Sequence, residues 1–459
     1  MQFNYMLELL LAGLTYFILK IIYRLYFHPL SKFPGPKLAA STHLFEFYHD
    51  VVRHGKFLWE IEKMHFEYGT HEHHRFRRGL LNKLFSKKSV HELAPMMEST
   101  LRKLAFHFEE AYKRGTVICL DDAFTALTAD IISYYSYGES LDFLEADDFK
   151  GEFREAAFEL LSFLHINRFF PYIIPTLQLL PHWVACKVRP KMTALFEFQN
   201  TVVQHSLRSI HETTTTNEGI TKPSKRGIVF ETLNHPSVPA PERTLQRLQD
   251  EGTILLVAGT EVVARALTIA MFHLNWDKSL LRKLRSELVQ VMPTPSSSVN
   301  CSELEQLPYL TGVVNEAMRH TYSMMRLPRV ARTEQLKYEK YIIPAGTPVS
   351  MSSHFVHMDP NLFPEPETFK PERWVIAAEK KENLTKFIVS FTRGSRACIG
   401  MHLTYVELYQ AIAILARRFD IELYECSIDD MRFVRDIGLG YPEKGNLTIR
   451  ARVTGIVQQ

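Results

Sequence analysis

A ten-residue segment, FTRGSRACIG (Phe391 to Gly400), combines one cysteine with two arginines and two glycines. Cys398 stands just before an apolar periodic stretch that predicts a helix starting near Ile399. The free N–H groups and partial positive charge of a helix N-terminus favour a thiolate over a thiol. Gly394 and Gly400 permit a tight turn and the close approach of a flat partner. A cysteine in front of a helix is more often a buried small residue, so its neighbours carry the argument for a thiolate ligand.

A second segment, VAGTEVVARAL (Val257 to Leu267), places a carboxylate in an otherwise apolar helical run. Burying Glu261 there costs several kcal/mol unless the group is paired, hydrated or neutral. Gly259 and Thr260 precede it, and Val262 follows. This placement indicates a chemical or electrostatic task for the carboxylate, in which the flanking residues take part.

The elements that must position these segments show apolar residues at three- and four-residue spacing. This pattern predicts helices over 80–85, 97–112, 152–163, 245–273 and 401–417. After Arg326, the alternation, the Tyr and Ile content and a Pro-Ala-Gly turn predict short strands. The polar stretch 212–227 is typical of a surface loop, so the sequence predicts one large, mainly α domain with a small β-sheet.

The cysteine segment matches a known pattern. Phe391, Gly394, Arg396, Cys398 and Gly400 fill the five fixed places of F-x-x-G-x-R-x-C-x-G, the haem-binding loop of cytochromes P450. The chain therefore resembles that family of haem-thiolate monooxygenases over nearly all of residues 38–459. The resemblance implies the cytochrome P450 fold and haem b, with Cys398 as the proximal iron ligand that favours O–O cleavage. The segment from TYSMMRLPRV to PERW is most similar to trichodiene-oxygenase-type enzymes of fungal secondary metabolism.

The resemblance also implies cations for the haem propionates. By position in the family pattern these are His74, Arg78, Arg329 and Arg396. His74 stands where many relatives have Trp, but its ring nitrogen can still donate a hydrogen bond.

A third implied group is structural. The stretch NEAMRH supplies Glu316 and Arg319, three residues apart and so on one helix face. The stretch FKPERW supplies Arg373. In the family these three side chains form a buried charged network that orders the core behind the haem.

The central helix of the family carries the pattern A/G-G-x-D/E-T, which Ala258, Gly259 and Glu261 match. The resemblance implies that Gly259 loosens the helix for oxygen and that Glu261 belongs to a water-linked proton path. Val262 occupies the place of the hydroxyl, so the pocket keeps its volume and loses a donor. Thr260 is a poor substitute, because two residues along a helix is about 200° round the axis.

Two alternatives to the monooxygenase interpretation follow from departures from the family. Because Val262 lacks a hydroxyl, a substrate hydroxyl or a water would have to deliver the proton to bound oxygen. Otherwise the chain is an oxygen-independent isomerase or dehydratase. The second departure is at Gly69, where FEYG is followed at once by the HEHHRFRR helix from His71. Two strands, a short helix and the loop over the pocket are expected between them. Several dozen residues are therefore absent, so a catalytically inactive, truncated haem protein is the other alternative.

The N-terminal stretch from Tyr5 to Ile22 is nearly apolar and just long enough to span a bilayer. An amphipathic or buried helix is the alternative. Positive charges lie at the C-terminal end of the stretch and after it, at Lys20, Arg24, Lys32 and Lys37, which predicts a single-pass anchor with the remainder on the cytoplasmic face. We expect residues 1–25 to form the anchor in the endoplasmic reticulum membrane, residues 26–37 a Pro-rich linker, and residues 38–459 the catalytic domain.

Composition and charge limit the classes of partner that the chain could bind. A net charge of +3 over 459 residues gives no case for nucleic-acid binding, and five scattered cysteines argue for a reducing compartment. The basic stretch 75–88 is either a solvated helix face or a docking patch for NADPH–cytochrome P450 reductase, which would supply the electrons. The apolar stretch 161–184 would cover a pocket for an apolar substrate, touch the membrane or pack in the core. A terpenoid or a polyketide is the expected substrate class.

Overall fold

The computed structural model describes residues 71–162, 200–208, 229–298, 300–322, 328–331 and 333–457, with Thr15, Ile166 and Lys187. The predicted anchor apart from Thr15, the linker, the junction at Gly69 and most of the stretch 161–184 lie outside these residues. Among the described residues, one helix, Leu245–Trp276, is long and apolar enough to cross a membrane. Because 61% of its apolar window is buried inside the protein, it serves as a core helix.

Helices dominate the described part of the chain, as the sequence predicts. In chain order they are α1 (His71–Asn82), α2 (Lys87–His91), α3 (Ala94–Arg114), α4 (Leu120–Tyr137), α5 (Gly151–Ser162), α6 (Val229–Asn234), α7 (Leu245–Trp276), α8 (Lys278–Leu288), α9 (Cys301–Leu304), α10 (Pro308–His320), α11 (Ser353–His357), α12 (Glu372–Glu379) and α13 (Met401–Arg418). The predicted helices at 97–112, 245–273 and 401–417 lie within α3, α7 and α13. The prediction at 152–163 matches α5, and residue 163 lies outside the described residues.

The predicted helix over 80–85 is wrong at its C-terminal end. Helix α1 stops at Asn82, and a turn separates it from α2. The Ser86 side chain accepts a hydrogen bond from the Ser89 N–H and so caps the start of α2. The Ser86 cap therefore starts a new helix after α1 ends, which the spacing of apolar residues does not predict.

The strands are short: β1 (Val117–Cys119), β2 (Arg329–Val330), β3 (Leu336–Tyr338), β4 (Tyr341–Ile343), β5 (Pro348–Val349), β6 (Phe419–Leu423), β7 (Phe433–Asp436), β8 (Gly440–Pro442) and β9 (Arg450–Ile456). Strands β2 to β5 fall in the predicted region after Arg326 and pair as β2–β5 and β3–β4, both antiparallel. Strand β9 pairs with both β1 and β6, and β7 pairs with β8. The three-stranded sheet joins segments far apart in sequence, so local patterns do not predict it.

Helix α7 runs through the core, and its contact with α4 fixes its rotation. A Cβ at Gly259 would lie 2.6 Å from the Ile132 side chain, so only glycine fits this crossing. The Thr128 hydroxyl of α4 donates to the Thr260 carbonyl at 3.1 Å. With that face against α4, α7 exposes an open stripe formed by Ile254, Val257 and Ala258.

Candidate functional site

The cysteine turn is built by its own backbone. The Cys398 N–H donates to the Phe391 carbonyl at 2.8 Å, and the Ala397 N–H donates to the Gly394 carbonyl at 3.0 Å. Gly394 has φ +83°, in the left-handed region that favours glycine. Phe391 is buried against the Tyr405 ring of α13, with the ring centroids 5.3 Å apart. The turn therefore presents Cys398 three residues before the first residue of α13.

Cys398 is the exposed one of the four described cysteines. Nearby protein atoms partly desolvate it, which raises the pKa of its thiol, while the Gly400 N–H and the Arg78 charge lower that pKa. Cys301, by contrast, is buried, and burial raises the pKa of its thiol to about 12. Burial prevails and leaves the pKa of the Cys398 thiol raised, but this cysteine combines access with one backbone donor and one nearby positive charge, which both favour a thiolate.

Three arginines from separate elements gather beside this turn: Arg78 of α1, Arg329 of β2 and Arg396. Burial first, and then the charges of Arg329 and Arg78, lower the pKa of Arg396. None of the three forms an ion pair with a carboxylate of the described residues, so in this part of the chain the arginine triad is a cluster of positive charge. Clustered like charges repel each other, and an anionic ligand relieves that repulsion. His74 lies one turn before Arg78 on α1.

Glu261 is held by groups that the sequence interpretation missed. Its Oε1 accepts a hydrogen bond from Arg265 at 2.9 Å, and the Tyr441 hydroxyl donates to the same oxygen at 3.4 Å. Arg265 is buried, stacks over the Tyr441 ring at 4.2 Å and donates to the Gly440 carbonyl. An arginine four residues after a glutamate was the available sequence signal, whereas nothing local pointed to Tyr441.

Val262 faces an apolar surface. It packs with Phe158 and Leu161 against Ile437, Leu439 and Tyr441, the last three lying on or beside the β7–β8 hairpin. The position that carries a hydroxyl in the family is therefore surrounded by hydrocarbon and aromatic groups.

Gly259 and Thr260, grouped with the catalytic residues from the sequence, lie on the face that contacts α4. The Thr260 hydroxyl is buried and donates to the Leu256 carbonyl at 2.6 Å. Because each residue turns a helix by about 100°, Thr260 points away from the open stripe. The structure thus shows packing contacts for both residues on this face, and their grouping with the catalytic residues stays a prediction.

The structure brings Glu316, Arg319 and Arg373 together as a charged network. Arg319 donates to both Glu316 oxygens at 2.7 and 3.0 Å, and Arg373 donates to Oε1 at 3.1 Å. The Trp374 indole N–H, which the sequence interpretation missed, donates to Oε2 at 2.8 Å. Burial alone would raise the pKa of Glu316, but hydrogen bonds and the Arg319 charge hold that pKa well below its ordinary value.

This network reaches the segment that leads into the cysteine turn. Arg319 donates to the His357 carbonyl at 2.8 Å, and His357 Nε2 accepts from the Val389 N–H at 3.0 Å. The Ser390 hydroxyl donates to the Met318 carbonyl at 2.7 Å. Helix α10 therefore fixes the start of the segment that ends at Cys398.

Comparison with known proteins decides the family. The family model named Cytochrome P450 matches residues 38–449. This chain belongs to the cytochrome P450 family. Its relatives include the cytochrome P450 monooxygenase TRI4 of Fusarium sporotrichioides, which is 38% identical over 94% of this chain and 92% of that protein. They also include the conidiogenone synthase PchP450 of Penicillium rubens, which is 39% identical over 95% of this chain and 96% of that protein.

Solved structures agree on the cytochrome P450 fold. The crystal structure of the cytochrome P450 CYP102L1 superimposes with a TM-score of 0.65 at 18% identity, covering 85% of this chain and 81% of that one. The relatives in sequence are fungal monooxygenases of secondary metabolism. The chain is therefore a cytochrome P450 monooxygenase, an oxidoreductase.

The alignments also bear on the expected missing segment. The alignment with TRI4 has 482 positions and covers 94% of 459 residues, or about 431, so about 50 of its positions have no residue of this chain. This agrees with the expected loss of several dozen residues. Its location after Gly69 stays a prediction.

Family membership implies haem iron with a cysteine thiolate, and the described residues fit that group. The accessible Cys398 supplies the thiol, the arginine triad supplies charges for two carboxylates, and the open stripe on α7 supplies an apolar face. Cys301 is buried and belongs to a separate cluster with His91 and Glu305.

Proposed function

We propose that this chain inserts one oxygen atom from O2 into an apolar small molecule, and that the Cys398 thiolate would hold the iron of haem b. The observation that carries the proposal is the accessible Cys398 beside three arginines that have no carboxylate partner among the described residues. When bound, haem would supply the activation of O2, and the Cys398 thiolate would hold its iron.

The protein side chains position the cofactor and the substrate. Arg78, Arg329 and Arg396, with His74, would hold the propionates of the haem. The open stripe on α7 and the apolar surface around Val262 hold a hydrocarbon substrate and exclude water from it.

Electron supply and location extend the proposal. We infer that NADPH–cytochrome P450 reductase delivers the electrons and docks on the basic stretch 75–88. In α1, Arg78 of this stretch lies close enough to act on Cys398 electrostatically. The apolar stretch 5–22 anchors the chain in the endoplasmic reticulum membrane, with the catalytic domain on the cytoplasmic face.

The substrate class rests on the relatives. One is named a conidiogenone synthase and the others are monooxygenases of secondary metabolism. We therefore propose a terpenoid or a polyketide intermediate. Val262 keeps the oxygen-independent isomerase or dehydratase as the second candidate, since an apolar surface replaces the usual hydroxyl.

The test is product formation from isotopically labelled O2. Full-length chain in microsomes with reductase and NADPH is offered a panel of terpenes and polyketides. One labelled oxygen atom in a product that needs NADPH supports the monooxygenase. A product formed without O2 and NADPH supports the second candidate, and a chain that retains no haem supports the inactive form.

A further inference from the structure

A cluster of side chains typical of metal sites lies apart from the cysteine turn. His91 at the end of α2, with Cys301 and Glu305 at the two ends of α9, brings three potential ligand atoms within 4.8 Å of one another. Cys301 is buried, whereas the His91 and Glu305 side chains are 22% and 20% exposed. This His–Cys–Glu cluster is therefore a shallow surface site with a thiol at its floor.

The ligand chemistry selects the metal. Zinc takes thiolate at about 2.3 Å, imidazole and carboxylate at about 2.0–2.2 Å, which places tetrahedral ligand atoms about 3.4–3.6 Å apart. His91 Nε2 and Glu305 Oε1 are already 3.1 Å apart. Calcium and magnesium prefer oxygen ligands only. We propose that the His–Cys–Glu cluster binds Zn²⁺ through His91, Cys301 and Glu305, with water as the fourth ligand.

The alternative is an ion-pair network that ties α2 to α9. Lys87 Nζ lies 2.5 Å from Glu305 Oε2, and His91 hydrogen-bonds the other oxygen. That network uses no thiol, yet the buried Cys301 lies within the cluster, and its sulfur makes no hydrogen bond among the described residues. The thiol is what distinguishes a zinc site from the ion pair.

Binding is balanced in charge and protons. The Cys301 thiol is buried within 4.8 Å of the His91 and Glu305 ligand atoms, so a zinc ion bound there has to displace the thiol proton. Zn²⁺ displaces that proton to solvent and forms the Zn–S bond. The Cys301 thiolate and the Glu305 carboxylate then neutralise the ion, and the Lys87 ammonium returns to water.

The site lies next to the helix that follows the cysteine turn. The charges of Lys87, Glu305 and His91 act on the pKa of His402 in the first turn of α13, which burial lowers. Helices α2 and α9 both pack on α13. Zinc bound at the cluster would connect α2 and α9. Because a ligand that binds only the folded state shifts the unfolding equilibrium, zinc should raise the stability of the native chain.

The test counts zinc in haem-loaded, full-length protein. Equilibrium dialysis against micromolar ZnCl2 followed by elemental analysis should give one tightly held zinc per chain, and the apparent Tm should rise. Cys301→Ser and His91→Gln should each lose that equivalent. The matched controls Cys426→Ser and His235→Gln, which change residues outside the cluster, should keep it.

Lys87→Ala separates the two interpretations if the cysteine variant folds poorly. Zinc competes with Lys87 for Glu305, so this variant should bind zinc at least as tightly as the wild type. The proposal is overturned if wild type holds no stoichiometric zinc, or if the cluster variants and the control variants hold equal amounts.

Discussion

Glu261 and Arg265 lie one turn apart on α7 and form an ion pair of 2.9 Å, and the Tyr441 hydroxyl of β8 donates a hydrogen bond to the same Glu261 carboxylate. The pair joins the central helix to the hairpin whose residues surround Val262. Glu261 is thus an anchor for that hairpin as well as a carboxylate near the pocket. Any proton path through it has to compete with the Arg265 guanidinium for the same oxygen.

We expect Arg265→Gln to destabilise the chain and weaken substrate binding. Breaking a buried ion pair costs roughly 3–5 kcal/mol, and the lower end applies because Glu261 is partly exposed. The β7–β8 hairpin then loses its contact with α7. The dissociation constant of the substrate, measured from the shift of the haem Soret band, should therefore rise. Arg265→Lys keeps the charge and should recover part of the loss. Unchanged binding and stability, matching the exposed control Arg282→Gln, would refute the anchoring role.

Cys398→Ala should abolish the thiolate-type spectrum of the reduced carbon monoxide complex. The reason is that the other described cysteines are buried or half-buried and lack the glycine-flanked turn. Cys426→Ala is the matched control and should retain the band. Persistence of the band in Cys398→Ala would remove the central assignment of the site.

Arg373→Ala should yield little folded, haem-loaded protein. It leaves the buried Glu316 carboxylate with one guanidinium instead of two, a loss of roughly 3–5 kcal/mol. Arg435→Ala, which breaks a surface pair with the largely exposed Glu443, is the control and should change stability little. Equal haem content in the two variants would mean that the charged network does not support the fold.

The parts of the site that residue spacing predicts are those held together locally, whereas the distant partners Arg373, Arg78 and Arg329 were expected only from the family resemblance. The cysteine turn closes within ten residues, and Glu316 and Arg319 meet because they are three apart on one helix. The contact of Tyr441 with Glu261 spans 180 residues, and that of His91 with Glu305 spans 214. Such contacts depend on how helices and strands pack, which no spacing pattern encodes. The contacts of Gly259 and Thr260 with α4 belong to this second kind, and the catalytic roles of these two residues stay predictions.

Glu407 of α13 should make stability depend on pH. It is buried, neither oxygen has a hydrogen-bond partner among the described residues, and burial raises its pKa well above the ordinary value. The folded chain therefore keeps a proton that the unfolded chain releases above about pH 4.3. Stability then falls as pH rises from that value towards the folded pKa.

Glu407→Gln imitates the protonated acid and should flatten this dependence. As pH rises above about 4.3, the apparent Tm of the wild type should drop by more than that of the variant, measured at constant salt. Glu422→Gln on the exposed side of β6 is the control and should follow the wild type. Parallel Tm profiles for all three proteins would show that Glu407 is ionised or solvated in the folded chain.

Val262→Thr tests which chemistry the pocket performs. Threonine has nearly the shape of valine, and its hydroxyl can donate to the carbonyl one turn back, as Thr260 does to Leu256 at 2.6 Å. The stability cost is therefore at most that of an unpaired hydroxyl, about 1–3 kcal/mol. If the enzyme is a monooxygenase with an impaired proton path, the variant should form more product per NADPH consumed and release less peroxide.

Val262→Ala is the matched control, because it opens space at the same place without adding a hydroxyl. A gain in coupling in the alanine variant as well would assign the effect to volume. Lower or unchanged coupling in Val262→Thr would mean that a substrate hydroxyl or an ordered water already delivers the proton. A wild type that binds haem, consumes no NADPH with any substrate of the panel and still converts an oxygenated compound would establish the oxygen-independent reaction, in which the apolar surface around Val262 serves to keep water away.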